Sequence, residues 1–203
     1  MNKDIFNKLA KLFNDNGYRL FMVGGTVRDY LLNKEVLDYD FVSDATPSKM
    51  KTFLKDGNYH FEKFGTVRVK IDGVHVDITT FRTEGEYDDL RHPSKISFVK
   101  TIEEDYIRRD FTINAIYMDE KYNVIDPSKQ GLEDLKNHII RFIGEPEKRI
   151  KEDPLRILRA ERFESKLNFV IEDNSLIAIK KLRYLLDKIN PEKIKEEYRK
   201  NNN

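Results

Sequence analysis

Residues 20–29 read LFMVGGTVRD and residues 38–40 read DYD, and these two stretches decide the fold. The first four residues, LFMV, form an apolar run with the length of a short buried strand, and this run leads directly into a pair of glycines. Residues 26–32 are predicted to form a helix, and residues 38–42 a second strand. The sequence therefore predicts a strand, a glycine turn, a helix and a second strand at the centre of a mixed α/β part.

Helices and strands alternate around this centre. Apolar residues recur at helical spacing over residues 5–13, and Asp72-Gly73 is a hairpin turn between two stretches of alternating apolar residues. The further strands that we expect are residues 67–71, 74–78, 115–118 and 139–142. After about residue 144 we expect helices only. The prediction is an α+β fold with a mixed head at residues 1–140 and an all-helical part at residues 141–203.

The composition excludes several classes of protein. The 203 residues include no cysteine, which excludes a disulfide scaffold, a Cys-ligated zinc site and thiol catalysis. No apolar run approaches the ~18 residues that cross a bilayer, and the N-terminus lacks the pattern of a signal peptide. We therefore expect a cytoplasmic protein that makes no membrane contact.

The glycine turn and the DYD strand suggest a site for phosphate and metal. Gly24 and Gly25 allow the backbone to approach a ligand, and Arg28 adds a positive charge one turn into the helix. Asp38 and Asp40 alternate on a strand, so both carboxylates lie on one face. A divalent cation such as Mg²⁺, bound to substrate phosphates, would bring these two acids together. The alternatives are a plain tight turn and two solvated acids.

Asp77 is a candidate third carboxylate. It lies in the second strand of the predicted hairpin and faces away from Val76 and Ile78. If this strand pairs beside the DYD strand, Asp77 can contribute to a two-metal site. The alternative is a strand residue that simply faces solvent.

A dense polar cluster occupies residues 108–115, which read RRDFTINA. Its candidate binding residues are Arg109, Asp110 and Asn114. A triphosphate and a ribose both require such donors and acceptors. The alternative is that the arginines only complement the end of a helix.

A second cluster, EDPLR at residues 152–156, has the chemistry of a base-reading pair. Asp153 and Arg156 are three residues apart and are predicted to share one helical face. The carboxylate only accepts hydrogen bonds and the guanidinium only donates them. Together they match a base edge with an amino group beside a ring nitrogen, as in cytosine and adenine but not in uracil and guanine. The alternative is that Asp153 is an ordinary helix cap.

A basic stripe follows at helical spacing. It consists of Arg159, Arg162 and Lys166. Such a stripe can contact phosphates or can be a solvated helix face.

Taken in order, these motifs resemble those of the class II tRNA nucleotidyltransferases, the CCA-adding enzymes. This family shares a polymerase-β-type nucleotidyltransferase head with bacterial poly(A) polymerases. The resemblance covers residues 20–169 and rests on GGTVRD, DYD, RRDFTINA and EDPLRILRAERF. It implies a nucleotidyltransferase head followed by a helical neck that carries the base-recognition helix. Family members continue with body and tail domains that hold the tRNA. We expect these domains to be absent here, in a chain that is either truncated or an unusually short enzyme.

The resemblance also implies roles for single residues. The catalytic Mg²⁺ ions would be bound by Asp38 and Asp40. The triphosphate would be held by Gly24, Gly25 and Arg28. The triphosphate and ribose would be surrounded by Arg109, Asp110 and Asn114. The base would be read by Asp153 and Arg156, with Arg159 near the same pocket.

The implied reaction is the template-independent addition of C and A to the 3′ end of tRNA. CTP and ATP would be the substrates, pyrophosphate would be released, and catalysis would use two metal ions. The expected partners are the tRNA 3′ end and the two nucleotides, with no obligatory protein partner. Two alternatives remain: an A-adding enzyme or poly(A) polymerase of the same family, or a catalytically weak RNA- or nucleotide-binding fragment.

Three positions depart from the family pattern. Gln130 replaces a glycine of the linker motif DPxGGxxDL, Lys193 replaces the arginine of ERxxxE, and Phe64 replaces the histidine of HGTV. The polar segment at residues 83–95 resembles the flexible loop of enzymes that add the terminal A. This segment favours CCA addition over the addition of CC alone.

Overall fold

The computed structural model describes residues 3–36, 38–85, 87 and 94–200. These residues divide into two compact units that interleave along the sequence. The first unit lies within Met1–Thr83, Ile96–Arg108 and Asn114–Pro127, and the second within Glu84–Lys95, Arg109–Ile113 and Ser128–Asn203. The predicted boundary near residue 140 is a single position in the sequence, whereas these units are defined by proximity in space. That boundary therefore remains a prediction from the sequence.

The described elements follow the predicted order closely. The strands are β1 (Leu20–Val23), β2 (Tyr39–Ser43), β3 (Thr66–Ile71), β4 (Val74–Thr80), β5 (Arg82–Glu84), β6 (Ile96–Phe98), β7 (Tyr117–Met118), β8 (Val124–Ile125), β9 (Ile139–Ile140) and β10 (Val170–Ile171). The helices are α1 (Lys3–Asp15), α2 (Gly25–Leu31), α3 (Pro47–Phe53), α4 (Ile102–Asp105), α5 (Gly131–Lys136), α6 (Pro146–Glu152), α7 (Leu155–Leu167), α8 (Asp173–Leu182) and α9 (Pro191–Arg199). The predicted unit of strand, glycine turn, helix and strand is confirmed as β1, α2 and β2.

The first unit is built on one mixed sheet. Within the described residues, six strands pair in the order β3-β4-β2-β1-β7-β8. Only β2 and β4 are parallel neighbours in this sheet, and the other pairs are antiparallel. Alternate residues of β2 face two apolar layers, because Phe41 stacks on Phe6 of α1 while Val42 packs with Phe21 and Tyr117. By the same alternation, the carboxylate of Asp40 lies on the side of Val42.

A fully buried carboxylate, that of Asp105, connects the elements on this second face. It accepts hydrogen bonds from the main-chain N–H of Arg82 at 3.0 Å, the hydroxyl of Tyr117 at 2.7 Å and Nε of Arg108 at 2.9 Å. Three donors offset the cost of burying this charge. The start of the RRDFTINA motif is therefore fixed to the sheet through Arg108.

The second unit packs around α7. Phe163 of this helix meets Phe111 edge to face, with ring centroids 5.8 Å apart, and Phe111 also contacts Phe142. On another side of the helix, Leu155 and Leu158 pack against Ile189. The helix that carries the predicted base-reading arginine is thus held by apolar contacts on more than one side.

The prediction that only helices follow residue 144 is wrong at one place. β10 pairs in parallel with β9, with Val170 opposite Ile139. The physical reason is the end of α7, where Asn168 takes a left-handed conformation with φ of 58° and turns the chain back. Two extended residues then suffice to bond with β9, and so short a strand leaves no periodic pattern in the sequence.

The segment expected to resemble a flexible loop lies partly outside the described residues. Residues 86 and 88–93 are not described, and Tyr87 is described between them. Among the helices that the structure describes, none combines the length and the apolar character that a membrane crossing requires.

Candidate functional site

Asp40 lies on the second strand as the sequence predicts, whereas Asp38 does not. Asp38 directly precedes β2, which begins at Tyr39, and Asp40 is the second residue of β2; both acids are exposed whereas Tyr39 between them is buried. The strand alternation therefore directs the carboxylate of Asp40 away from the layer that covers Tyr39. Their assignment as metal ligands remains a prediction.

Asp77 lies next to this pair. In the parallel pairing of β2 and β4, Asp77 is directly opposite Asp40. Both of its carboxylate oxygens are bound by Arg68 of β3, with Nε at 2.6 Å and Nη2 at 2.7 Å. The hairpin thus pairs beside DYD, which was the condition for a role of Asp77. The negative charge of Asp77, however, is already balanced by Arg68. Its role as a third carboxylate remains a prediction.

The glycine turn approaches the second acid of DYD. Gly24 has φ of 68°, a conformation that L side chains rarely adopt, and a Cβ added there would lie 3.6 Å from Oδ2 of Asp40. The turn and the carboxylate are therefore neighbours at one end of the sheet. An added Cβ would be in ordinary contact with this carboxylate, so it is the positive φ that requires glycine here, and strain in the turn would be felt beside Asp40.

We expect Gly24→Ala to lower the free energy of unfolding by about 1–2 kcal/mol and to weaken binding of Mn²⁺ as a probe cation. Gly73→Ala is the matched control, because Gly73 has φ of 85° but no atom within 4 Å of an added Cβ. This control is expected to lose stability without losing cation affinity. Denaturant unfolding and Mn²⁺ titration measure the two effects, and equal Mn²⁺ affinities in both variants would contradict a cation site beside Gly24.

Arg28 is buried in α2, and its guanidinium is fixed on two sides. Nε and Nη2 donate to the carboxylate of Asp29 at 2.8 and 2.9 Å, and Nη1 donates to Oδ1 of Asn114 at 2.8 Å. A Cβ on Gly25 would lie 3.4 Å from Nη2, so the second glycine leaves room for this guanidinium. The structure thus brings together Gly25, Arg28 and Asn114, which the sequence assigns to two separate motifs.

The other predicted residues of RRDFTINA belong to the second unit. Nη2 of Arg159 lies 2.5 Å from Oδ2 of Asp110, and the other oxygen of Asp110 accepts the N–H of Phe111 at 2.7 Å. Arg109 offers its carbonyl oxygen to Nη2 of Arg149 at 2.9 Å. Arg109, Asp110 and Arg159 are therefore grouped within one unit, and their assignment to a nucleotide pocket remains a prediction.

The predicted geometry of the base-reading pair is wrong in one respect. Asp153 is not on the helix of Arg156, because α6 ends at Glu152 and α7 begins at Leu155. Asp153 is extended, with φ of −149°, as is favoured for a residue that precedes proline. Its Oδ1 accepts the N–H of Leu155 at 3.1 Å and so stabilises the turn before α7, although the N-cap of that helix is Pro154 and not Asp153.

Arg156 is held in a fixed orientation. Its Nη1 donates to the carbonyl oxygen of Arg149 at 2.7 Å and to Oε2 of Glu152 at 2.9 Å, and its guanidinium lies 5.8 Å from the centre of the Tyr87 ring. Burial, followed by the charge of Glu84, raises the pKa of Tyr87 to about 12. The phenol therefore stays neutral at physiological pH and does not cancel the charge of Arg156.

The predicted basic stripe is not a continuous solvated face. Nη2 of Arg162 binds Oε1 of Glu197 at 3.1 Å in a largely buried ion pair, whereas Lys166 is exposed. Lys193, which replaces the expected arginine, pairs at the surface with Glu196. Helix α9 therefore supports α7 through Glu197 despite the change at position 193.

Several residues without a predicted role contact the candidate site residues. Besides Asp29, Arg68 and Arg149, described above, they include Thr26, Tyr87 and Glu152. Thr26 and Glu152 stand inside the quoted motifs, so their position beside Gly25 and Asp153 was the available signal. Tyr87 belongs to no motif, and only the folded chain brings it to Arg156.

Comparisons with known proteins identify relatives of the chain. A family model described as the poly(A) polymerase head domain matches residues 20–141. The CCA-adding enzyme of Lactobacillus helveticus is 44% identical over 198 residues, which are 96% of this chain and 49% of that protein. This chain therefore spans about half the length of the curated relatives that it matches.

Solved structures agree with this match. The Bacillus stearothermophilus CCA-adding enzyme in complex with CTP has a TM-score of 0.88 at 37% identity and covers 97% of this chain, which corresponds to 47% of that enzyme. The Thermotoga maritima CCA-adding enzyme complexed with tRNA has a TM-score of 0.77 at 29% identity, over 96% of this chain and 45% of that enzyme. The α+β fold predicted from the sequence is thereby confirmed.

Proposed function

Because this chain belongs to the poly(A) polymerase head-domain family, we propose that it carries the catalytic part of a template-independent nucleotidyltransferase that adds C and A to the 3′ end of tRNA. In the proposed reaction, the RNA 3′ oxygen bonds to the α-phosphorus of CTP or ATP, and pyrophosphate leaves. The observation that most supports this proposal is the position of Asp40 beside the glycine turn, since a triphosphate needs charge neutralisation where the backbone is accessible. The similar enzymes bound to CTP and to tRNA support the choice of substrates.

Asp38 and Asp40 are the residues proposed to hold Mg²⁺. Within the described ranges, no group of three or more His, Cys, Asp or Glu side chains is suited to hold a metal ion. Two carboxylates still fit Mg²⁺, which typically uses one or two protein carboxylates together with phosphates and water. When bound, the ion would neutralise phosphate charge. Asp77 would contribute from the neighbouring strand, with its own charge balanced by Arg68.

The remaining proposed roles concern the nucleotide. Gly24 and Gly25 would give the triphosphate access to main-chain amides, and Arg28 would supply positive charge at the same end of the sheet. The ribose and triphosphate would be contacted by Arg109, Asp110 and Asn114, with Arg159 near the base pocket.

Base choice is proposed to depend on Asp153 and Arg156. Asp153 would accept a hydrogen bond from the exocyclic amino group, and Arg156 would donate to the adjacent ring nitrogen. Cytosine and adenine share this edge, whereas uracil and guanine present a carbonyl and an N–H there. Because Arg156 is oriented by Glu152 and Arg149, its donors are arranged before a base arrives.

Two further candidate functions follow from the sequence. An A-adding enzyme or poly(A) polymerase is favoured by the family match, whose description names a poly(A) polymerase. The other is a catalytically weak RNA- or nucleotide-binding fragment.

A primer-extension experiment separates these functions. The chain is incubated with labelled CTP or ATP and with tRNAs that end before the first C, after one C or after two. A CCA-adding enzyme adds C to the first two tRNAs and a single A to the third, and chelation of Mg²⁺ stops both additions. An A-adding enzyme uses only the third tRNA, a poly(A) polymerase adds repeated A, and a fragment binds CTP without transfer.

A further inference from the structure

Thr26 binds both main-chain groups that flank Tyr39 in the DYD motif. Its Oγ1 donates to the carbonyl oxygen of Asp38 at 3.0 Å and accepts from the N–H of Asp40 at 2.8 Å. The Thr26 residue is only 2% exposed, so water competes little for these bonds. One hydroxyl group therefore connects the peptide groups that carry the two candidate metal ligands.

This hydroxyl lies where the neighbouring strand leaves the sheet. β1 ends at Val23, and its last pair with β2 is Met22 opposite Phe41. The glycine turn follows directly and returns Thr26 to the same edge of the sheet. A hydroxyl can donate and accept at once, so this one side chain binds main-chain groups on both sides of Tyr39.

We propose that Thr26 is a positioning residue that holds Asp38 and Asp40 in the orientation in which they bind one divalent cation. The inference rests on the proposed function, since it takes these two carboxylates as the Mg²⁺ ligands. Two like charges that share an ion repel each other while the ion is absent. The bridge from Thr26 opposes this repulsion by fixing the backbone on both sides of Tyr39. Hydrogen bonds to the ligating side chains themselves change metal affinity by about 10- to 100-fold, and a bond to their main chain is expected to act at the lower end of this range.

Substitutions at Thr26 can separate the hydroxyl from the volume of the side chain. Thr26→Val keeps the volume and removes the hydroxyl, whereas Thr26→Ser keeps the hydroxyl and removes a methyl group. Thr80→Val is the matched control, because Thr80 is fully buried in β4 and donates to the carbonyl oxygen of Ala45 at 2.8 Å. This control removes a buried hydroxyl from the same sheet without contacting DYD.

The test is a titration of the full chain with Mn²⁺ as the probe cation, followed by electron paramagnetic resonance. Thr26→Val is expected to bind Mn²⁺ about 10-fold more weakly than the wild type, with Thr26→Ser restoring the affinity to within about twofold. Thr80→Val is expected to melt at a lower temperature but to bind Mn²⁺ like the wild type. Wild-type affinity in Thr26→Val, or an equal loss in Thr80→Val, would overturn the inference and leave the proposed function standing.

Two further measurements keep the inference testable if Thr26→Val does not fold. In the wild type, the amide of Asp40 is expected to exchange slowly with solvent, because it donates to a buried hydroxyl; fast exchange would overturn the inference without any variant. Asp40→Asn is expected to abolish strong Mn²⁺ binding. If it binds Mn²⁺ as tightly as the wild type, both the metal site of the proposed function and the role of Thr26 are wrong.

Discussion

Asp40→Asn is expected to lower the rate of nucleotide transfer by about 10³-fold while the protein stays folded. The substitution keeps the size of the side chain and removes the charge that would hold Mg²⁺. Metal-assisted charge neutralisation contributes several kcal/mol to the transition state, and ~4 kcal/mol corresponds to about a thousandfold in rate. Because Asp40 is exposed, we expect its replacement to change stability by less than about 0.5 kcal/mol. The initial rate of C addition to tRNA and the melting temperature measure the two effects.

Two other aspartates of the first unit serve as comparisons. Asp56 is also exposed, and Asp56→Asn is expected to leave the rate unchanged. Asp77→Asn is expected to have a smaller effect than Asp40→Asn, because the Asp77 carboxylate is already engaged by Arg68. If Asp40→Asn retained more than about a tenth of the wild-type rate, the metal assignment at DYD would be wrong.

Most of the central strands of the first unit could be predicted because they are specified by their own residues, whereas the short strands β5, β6 and β8 left no such pattern. The hairpin at Asp72-Gly73 is an example: both residues have positive φ, at 50° and 85°, as this turn requires, and apolar residues alternate on either side. The pairing of β2 with β4 could only be stated as a condition, since it joins strands that are distant in the sequence. The position of Asp77 opposite Asp40 depends on that pairing.

The candidate site, too, could be predicted from the sequence only in part. The residue types that bind phosphate, metal and base could be found from the order of the motifs, because each chemistry needs particular donors and acceptors. The contacts that orient these residues could not be found. The bridge from Thr26 depends on the end of β1, and the contact of Tyr87 with Arg156 joins residues 69 positions apart. Such contacts are set by the packing of elements, which local patterns do not encode.

The position of Asp153 shows the limit of the helical-spacing rule. A spacing of three residues places two side chains on one helical face only if the helix is continuous between them. Pro154 breaks that continuity, because the residue before a proline is driven to an extended conformation. Asp153 and Arg156 can still bind one ligand. The turn between α6 and α7 holds them in place, because its main chain is hydrogen-bonded. Here the carbonyl oxygen of Asp153 accepts the N–H of Arg156 at 3.1 Å.

The choice among nucleotides is expected to relax when either member of this pair is changed. We expect Arg156→Ala and Asp153→Asn each to lower the preference for CTP and ATP over UTP and GTP by about 100-fold, since a site built to hydrogen-bond its substrate rejects mismatched analogues strongly. Asp153→Asn retains an oxygen that can accept the N–H of Leu155, so the helix start is preserved. The measurement is kcat/KM for each of the four nucleotides with the same tRNA.

Arg156→Ala removes a buried cation, and the fold must survive for this test to be informative. Glu152 keeps a second partner in that variant, because Nη1 of Arg149 lies 2.5 Å from the same oxygen. Lys166→Ala, at an exposed position of α7, is the control and is expected to leave selectivity unchanged. A general loss of rate with unchanged selectivity would indicate that the pair only supports the fold. Strict selection of C and A by both variants would therefore contradict the proposal that Asp153 and Arg156 read the base.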